Sequence, residues 1–418
     1  MSFQQGLSGL NSTSKSLEVI GNNIANANTF GAKGSRAEFS DLYASALNGS
    51  GTNQIGIGVS LSSVAQQFTQ GNITATENPM DMAINGGGFF QLADPAGTLS
   101  YSRNGQFKVN SAGYVVSNGG QQLLGFPADA NGVVQPGRAT ALRLPTGGIE
   151  PNQTSEITLE FKLNSSKVSV PAADIDFDVR ETYADATNMT VYDTLGQSVE
   201  LSYYFQKTDT GIWNVYATAN GVTVNGTEDD PLPVTTLTFS EDGKTYTSSN
   251  PTFSVPAMTT GEPGEEVQSL EIPDIALDFG NSTQYAGEFV PTNILQDGYS
   301  AGALRGVIVD ATGVVMARYD NGQTKPAGQV QLANFRNAQG LQPIGGNGWR
   351  QTFASGDPLL GVPGSGAFGA LQSGALEESN VDLTGELVNM ITAQRNYQAN
   401  AQTIKTLDQV MQTLVNLR

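Results

Sequence analysis

The chain has 418 residues with 39 acidic against 20 basic side chains, no Cys and no His, for a formal net charge of −19. That balance argues against a nucleic-acid surface, which needs clustered Lys and Arg to release counterions from phosphate, and against an anionic membrane surface. Without imidazole or thiol there is no Ser-His-Asp or Cys-His arrangement, no His or Cys ligand for zinc and no disulfide, which leaves carboxylate, Ser/Lys and oxygen-only metal chemistry.

All 18 prolines lie between Pro79 and Pro363, so the two ends are written differently from the middle. The ends read as helix and the middle as strand. At the N-terminus, Phe3, Leu7, Leu10, Leu17 and Ile24 fall at three- and four-residue steps and their multiples, with Ser14 and Gly21 filling the intervening positions. Ile20 joins these residues as a candidate for self-assembly. Gly6, Gly9, Gly21 and the run Asn11 to Ser14 give this segment poor helix propensity, so it needs a partner surface to become ordered. The same region has no basic leader and no unbroken apolar run, which predicts a chain without a cleaved Sec signal. No stretch approaches the ~20 apolar residues of a membrane helix.

From about residue 71 to 360 the chain alternates Val, Thr, Tyr, Phe and Leu and shows no helical period, which excludes a doubly wound nucleotide-binding fold. A recurring Asp/Asn-x-x-Gly word, at Asp94 to Gly97, Asn110 to Gly113, Asp193 to Gly196 and Asp310 to Gly313, predicts type I turns. Asn321-Gly322 is a further hairpin signal. Gly86-Gly87-Gly88 lacks the Lys and the following helix of a phosphate loop and reads as a bend before the strand Phe89 to Leu92. Asp174, Asp176 and Asp178 would share one strand face, able to attract calcium but more simply a solvated face. Trp213 and Trp349 read as core. No motif is catalytic, and no cofactor or metal site is expected.

Loose stretches at Gly49 to Gly58, Pro145 to Pro151, Gly261 to Pro273 and Gly361 to Gly369 mark boundaries. They predict a nested, mainly β chain with terminal α-helices: residues 1–30 and 379–418 pair as a coiled-coil-like layer, and 31–70 with 363–378 connect. Residues 71–148 and 285–362 form a discontinuous β-domain, and 149–284 an inserted one. The C-terminal helix is drawn by Leu383, Leu387, Met390, Gln394, Tyr397, Ala401, Ile404, Leu407, Met411 and Leu414. Asn380 or Asp382 would cap its start, and Glu386 places negative charge in the first turn.

The two ends also carry the most specific words in the chain. Ser8-Gly-Leu-Asn11, the run Gly21-Asn22-Asn23-Ile24-Ala25-Asn26-Ala27-Asn28-Thr29-Phe30-Gly31-Ala32-Lys33, Ser379-Asn380-Val381-Asp382-Leu383, and Glu386 to Asn400 with its Gln394-Arg395-Asn396-Tyr397 resemble the bacterial flagellar rod and hook family. One departure is Ala32, where that family usually has an aromatic residue after the glycine.

The resemblance implies a non-enzymatic subunit that polymerises into a curved, flexible tube joining rod to filament. It implies export through the flagellum's own apparatus without cleavage, an extracellular location, and rod, hook-cap and hook-filament junction proteins as partners. In that family paired terminal helices line the tube and β-domains form its outer layers. A distal rod protein or a junction protein would share the terminal words. A cell-wall glycosidase on a rod-like scaffold would need a carboxylate pair across a cleft, and 39 acidic residues do not single one out.

Overall fold

The N-terminal stripe folds as helix α1, Phe3–Ala25, and the C-terminal stripe as helix α2, Leu383–Asn416. A computed structural model of the chain describes residues 3–42, 56–129, 132–171, 175–244, 246–247, 251–260 and 267–416. Asp174 and most of the expected linker Gly49 to Gly58 lie outside these residues, as does the start of the linker at Gly261, and the Leu414 side chain is not described.

The two helices run antiparallel against each other. A methyl group placed on Gly6 would lie 3.1 Å from Ile404 Cγ1, and one on Gly9 would lie 2.9 Å from Asn400 Nδ2. Further along, Asn23 Nδ2 is 3.5 Å from Glu386 Oε1. The glycines that lower the propensity of α1 therefore let its backbone come close to α2, and dispersion contacts replace what propensity lacks. Beyond α1, strands Ser35–Leu42 and Gly58–Gln66 pair antiparallel with a bulge between Glu38 and Phe39. This hairpin packs on α1, where Ser8 Oγ donates to Val59 O at 2.6 Å and accepts from Val59 N at 2.8 Å.

The chain divides into two compact units, residues 1–146, 306–318 and 324–418 in the first and 147–305 with 319–323 in the second. In the first, strands from both sides of the insertion interleave in one sheet. Phe89–Ala93 lies between Gln122–Pro127 and Leu99–Ser102, with Thr324–Val330 beyond one and Gly348–Arg350 beyond the other. Its core is Met82, Ile84, Phe90, Leu92, Phe107, Leu123, Val330 and Leu332, with a second cluster around Phe89, Tyr101, Phe335 and Trp349.

The second unit packs a five-stranded sheet on a six-stranded one. Strand Glu156–Asn164 shows strict alternation and turns Ile157, Leu159, Phe161 and Leu163 into a core shared with Leu201, Tyr203, Phe205, Trp213 and Val215. Both tryptophans are core residues. The expected boundary at residue 285 is displaced to Arg305. Strand Val290–Gln296 pairs antiparallel with Glu156–Asn164 and so completes the second unit's sheet, leaving the first to resume at Gly306.

The four Asp/Asn-x-x-Gly words form turns of one kind. Each glycine N–H donates to the carbonyl of the Asp or Asn three residues earlier, at 2.9 to 3.0 Å, with its own φ between 80° and 86°. The Asp or Asn side-chain oxygen accepts two further N–H groups, as Asp310 Oδ1 does from Thr312 and Val314. Asp129 and Gly132 make a fifth. Around Asp176 the expected strand is absent: residues 177–178 form a turn, Asp176 Oδ1 accepts from Asp178 N, and a 3-10 helix, Arg180–Thr182, follows. Phe177 stacks on Tyr204 instead, with ring centroids 4.8 Å apart.

Candidate assembly surface and elbow

At the end of α1 the backbone turns into the hairpin through an elbow built by the Gly21 to Lys33 word. Asn22 O accepts both Asn26 N and Asn26 Nδ2, the latter at 2.9 Å. Asn23 is buried, and its amide imitates a strand neighbour. Nδ2 donates to Ser35 O and Oδ1 accepts from Ser35 N, both at 2.8 Å. Thr29 O accepts from Ala32 N, closing the turn. Gly31 has φ +70°, and a Cβ there would sit 2.4 Å from Asn104 N, so only glycine fits. Ala32 is buried beside a cavity of about 240 Å³ bounded by Asn22, Asn26 and Trp349, space that a larger side chain would occupy.

Lys33 closes the elbow. Its Nζ lies 2.6 Å from Glu377 Oε1 and 2.7 Å from Thr69 O, while Arg103 Nη1 lies 3.1 Å from Glu377 Oε2. All three side chains are buried, and Arg103 also sits over the Phe89 ring. Burial lowers the Lys33 ammonium from the usual lysine range, against the opposing pull of the Glu377 carboxylate. Asn380 does not cap α2. Its Oδ1 accepts from Gly34 N at 2.8 Å and its Nδ2 donates to Gln67 O and Thr69 Oγ1, tying the return strand to the hairpin. Asp382 is the cap, accepting from Thr384 N at 3.0 Å, and Ser379 Oγ accepts from Val381 N. Arg103 and Glu377 carry no sequence signal, because their partners lie 274 and 344 residues away.

The apolar stripes do not form the seam between α1 and α2. That seam is Gly6, Gly9, Ile20 and Asn23 against Glu386, Ala393, Asn400 and Ile404. At 3.6 residues per turn, the line through Phe3, Leu7, Leu10 and Leu17 is offset from it by roughly 90° on α1, and the line through Leu383, Leu387, Met390 and Gln394 by roughly 90° on α2. Because the helices are antiparallel, both offsets fall on one side of the pair.

Among the described residues nothing covers that side. Phe3 is 57% exposed and Leu7 44%, and Leu383, Leu387 and Tyr397 are also exposed. Leu10, Leu17, Ile24, Met390 and Leu407 are half-buried at its margin, and Met411 is exposed near the end of α2. Gly21 has nothing within 4 Å of a Cβ position, while Ala25, Gln394 and Arg395 are exposed. Of the residues singled out for self-assembly, Ile20 and Ile404 sit in the seam, whereas Phe3, Leu7, Leu383, Leu387 and Tyr397 are exposed on the open side. Among the described residues no helix is long and apolar enough to cross a membrane.

Family models match the chain in four places. They are "Flagella basal body rod protein" over residues 3–33, "Flagellar hook protein FlgE/F/G D1 domain" over 83–191, "Flagellar basal body protein FlaE D2 domain" over 162–299 and "Flagellar basal body rod FlgEFG protein C-terminal" over 372–417. Over its full length the chain is 40% identical to the flagellar hook protein FlgE of Salmonella typhimurium and 39% identical to that of Escherichia coli K12, covering all of each. It is 32% identical to the Rhizobium meliloti protein, covering 98% of it. The crystal structure of Helicobacter pylori flagellar hook protein FlgE2 shares the fold, with a TM-score of 0.51 at 14% identity over 73% of this chain and all of the other. The chain belongs to the flagellar hook protein family, a family of structural proteins.

Proposed function

We propose that this chain is the subunit of the flagellar hook, polymerising into a curved, flexible tube that passes torque from rod to filament. The observation that carries this reading is the uncovered apolar side shared by α1 and α2. Each large apolar side chain buried there contributes roughly 1.5–3 kcal/mol, so a handful supplies the free energy of a subunit contact. An apolar strip of this length on two terminal helices needs a neighbour, and in a hook the neighbour is another copy. The terminal helices then form the inner wall and the β-units the outer layers.

The subunit would leave the cell through the flagellar export apparatus without a cleaved signal. It would add beneath a hook-cap protein onto the distal rod protein, with the hook-filament junction protein at the far end. Leu10→Asp and Leu387→Asp test the surface, since each places a charge on the open side without touching the seam. We expect both variants to keep the wild-type unfolding transition and to form no hooks, seen by electron microscopy of cells carrying each variant. Normal hooks from either would place the interface elsewhere.

A further inference from the structure

Strand Phe89–Ala93 changes partners along its length. Leu92 and Ala93 pair with Gln122–Pro127, whereas Phe89 and Phe90 pair with Leu332–Asn334, and Gln91 stands at the fork between the two. On its other side Gln91 lies opposite Tyr101. Continuing the pairing of Phe90 with Leu332 by one residue sets Gln331 beside Gln91, at the point where Gln331 N donates to Leu124 O at 3.2 Å. Phe90 and Leu332 belong to one core cluster, and Phe89, Tyr101 and Ala333 to the other. Alternation along the strands therefore turns Gln91 and Gln331 to the Tyr101 side of the sheet.

This row is both buried and polar. Gln91 and Gln331 are each 4% exposed, and Tyr101 is fully buried. Gln91 Oε1, Gln331 Oε1 and Tyr101 OH have no hydrogen-bond partner among the described residues. Burial raises the Tyr101 phenol above the usual tyrosine range and the Gln91 side chain pulls the other way, so the two lie within reach although they do not meet in hydrogen-bond geometry. Phe335 packs edge-on against the Tyr101 ring with centroids 4.7 Å apart, which limits any turn of the phenol towards another partner. Each orphaned group carries the full cost of its desolvation.

Charge selects what can fill the row. The next row on the same face holds Arg103, whose guanidinium sits over the Phe89 ring and whose Nε also lacks a partner among the described residues. With Lys33 it sets two buried cations against the single Glu377 carboxylate, which disfavours a metal ion. The wider unit does not offset this. Of the 39 acidic and 20 basic side chains, 25 and 6 lie in residues 147–305 and 319–323, leaving the first unit neutral with 14 of each sign. Two bare amide oxygens repel an anion. What remains is a neutral molecule that can donate twice and accept once, and the smallest is water.

We propose that Gln91, Tyr101 and Gln331 hold one buried water, which donates to the two glutamine Oε1 atoms and accepts from the Tyr101 hydroxyl. Gln91 and Tyr101 precede the second unit in the chain and Gln331 follows it, so the water joins the two sequence halves of the first unit where the sheet forks. The site is independent of assembly into hooks.

The test is water-oxygen magnetic relaxation dispersion on the full-length chain in solution, which counts waters held inside the fold. The double variant Gln91→Met, Gln331→Met removes both acceptors at similar volume. It should lose one internal water and keep a cooperative unfolding transition, and an unchanged count overturns the proposal. Tyr101→Phe and Gln331→Met supply a second measurement, because Gln91 stands between these side chains and a shared molecule is what couples them. Each change alone should lower the urea midpoint, and the effect of either on the unfolding constant should be about fivefold smaller when the other is present. Additive effects overturn the shared water. Unfolding midpoints should also agree in sodium, potassium and choline chloride at one ionic strength. A midpoint that depends on which cation is present puts a metal ion in the row and overturns the proposal.

Discussion

Glu377 holds two buried cations at once, and its removal leaves both without a counter-charge. Taking one partner from a buried ion pair costs about 3–5 kcal/mol, because the remaining charge stays desolvated. Glu377→Gln should therefore lower the stability of the first unit by that order, measured by urea unfolding. Lys33→Met is expected to be far milder. It leaves Arg103 and Glu377 as a matched pair and fills the space with an apolar chain of similar length. The sign of the pH dependence separates the two roles of Lys33. Its folded-state pKa lies below the unfolded value, so the folded protein binds fewer protons, and stability rises as pH climbs through that window towards the ordinary lysine range. Lys33→Met should lose that contribution, read as the difference between the stability–pH slopes of the two proteins. None of this was legible in the sequence, since an isolated Arg103 and one Glu of a Glu-Glu pair look like solvated charge until the fold brings them to Lys33.

The helices show what a hydrophobic pattern does and does not reveal. It located both elements within a few residues and found the leucine stripes, because a 3.6-residue period survives without tertiary information. It could not say which face meets the partner helix. Beside Ile20, Ala393 and Ile404 the seam uses Gly6, Gly9, Asn23 and Asn400, residues that a hydropathy reading scores as breaks. The same limit applies to the hairpin Ser35–Leu42 and Gly58–Gln66, which the sequence reading left as a connection. Turns were the opposite case, because the Asp or Asn oxygen and the glycine φ are local chemistry. Gly9→Leu separates propensity from packing. A leucine there gains up to about 1 kcal/mol of helix propensity over glycine, but its side chain needs space now held by Asn400. An N-terminal peptide with the change should be more helical by circular dichroism. Hooks built from the variant should nonetheless dissociate at a lower temperature, and equal or greater hook stability would show that the glycine is not needed for close approach.

At the scale of the whole chain, nesting was readable from the proline distribution and the linker composition, whereas the end of the insertion was not. Strand Val290–Gln296 is recognisable as a strand from its residues, but nothing local states that its partner is Glu156–Asn164, more than 120 residues earlier. Near the two ends of its main span the second unit pairs with itself: Ile149 N donates to Gly302 O at 2.8 Å and Gly302 N returns to Ile149 O at 3.2 Å. A variant in which a short Gly-Ser bridge replaces residues 149–302 is expected to retain a folded first unit, since that unit's core takes no residue from the excised span. A cooperative thermal transition and a net charge near zero on isoelectric focusing are the readouts, and loss of the transition would show that the units fold only together.

The paired ends of that span give the molecule an architecture open to grafting. A span whose two ends meet at neighbouring backbone positions is a cassette. It can lengthen, shrink or be exchanged over evolutionary time without altering the register of the two terminal helices. Its size, charge and wear can then follow the surroundings, while the helical seam and its apolar side stay as they are.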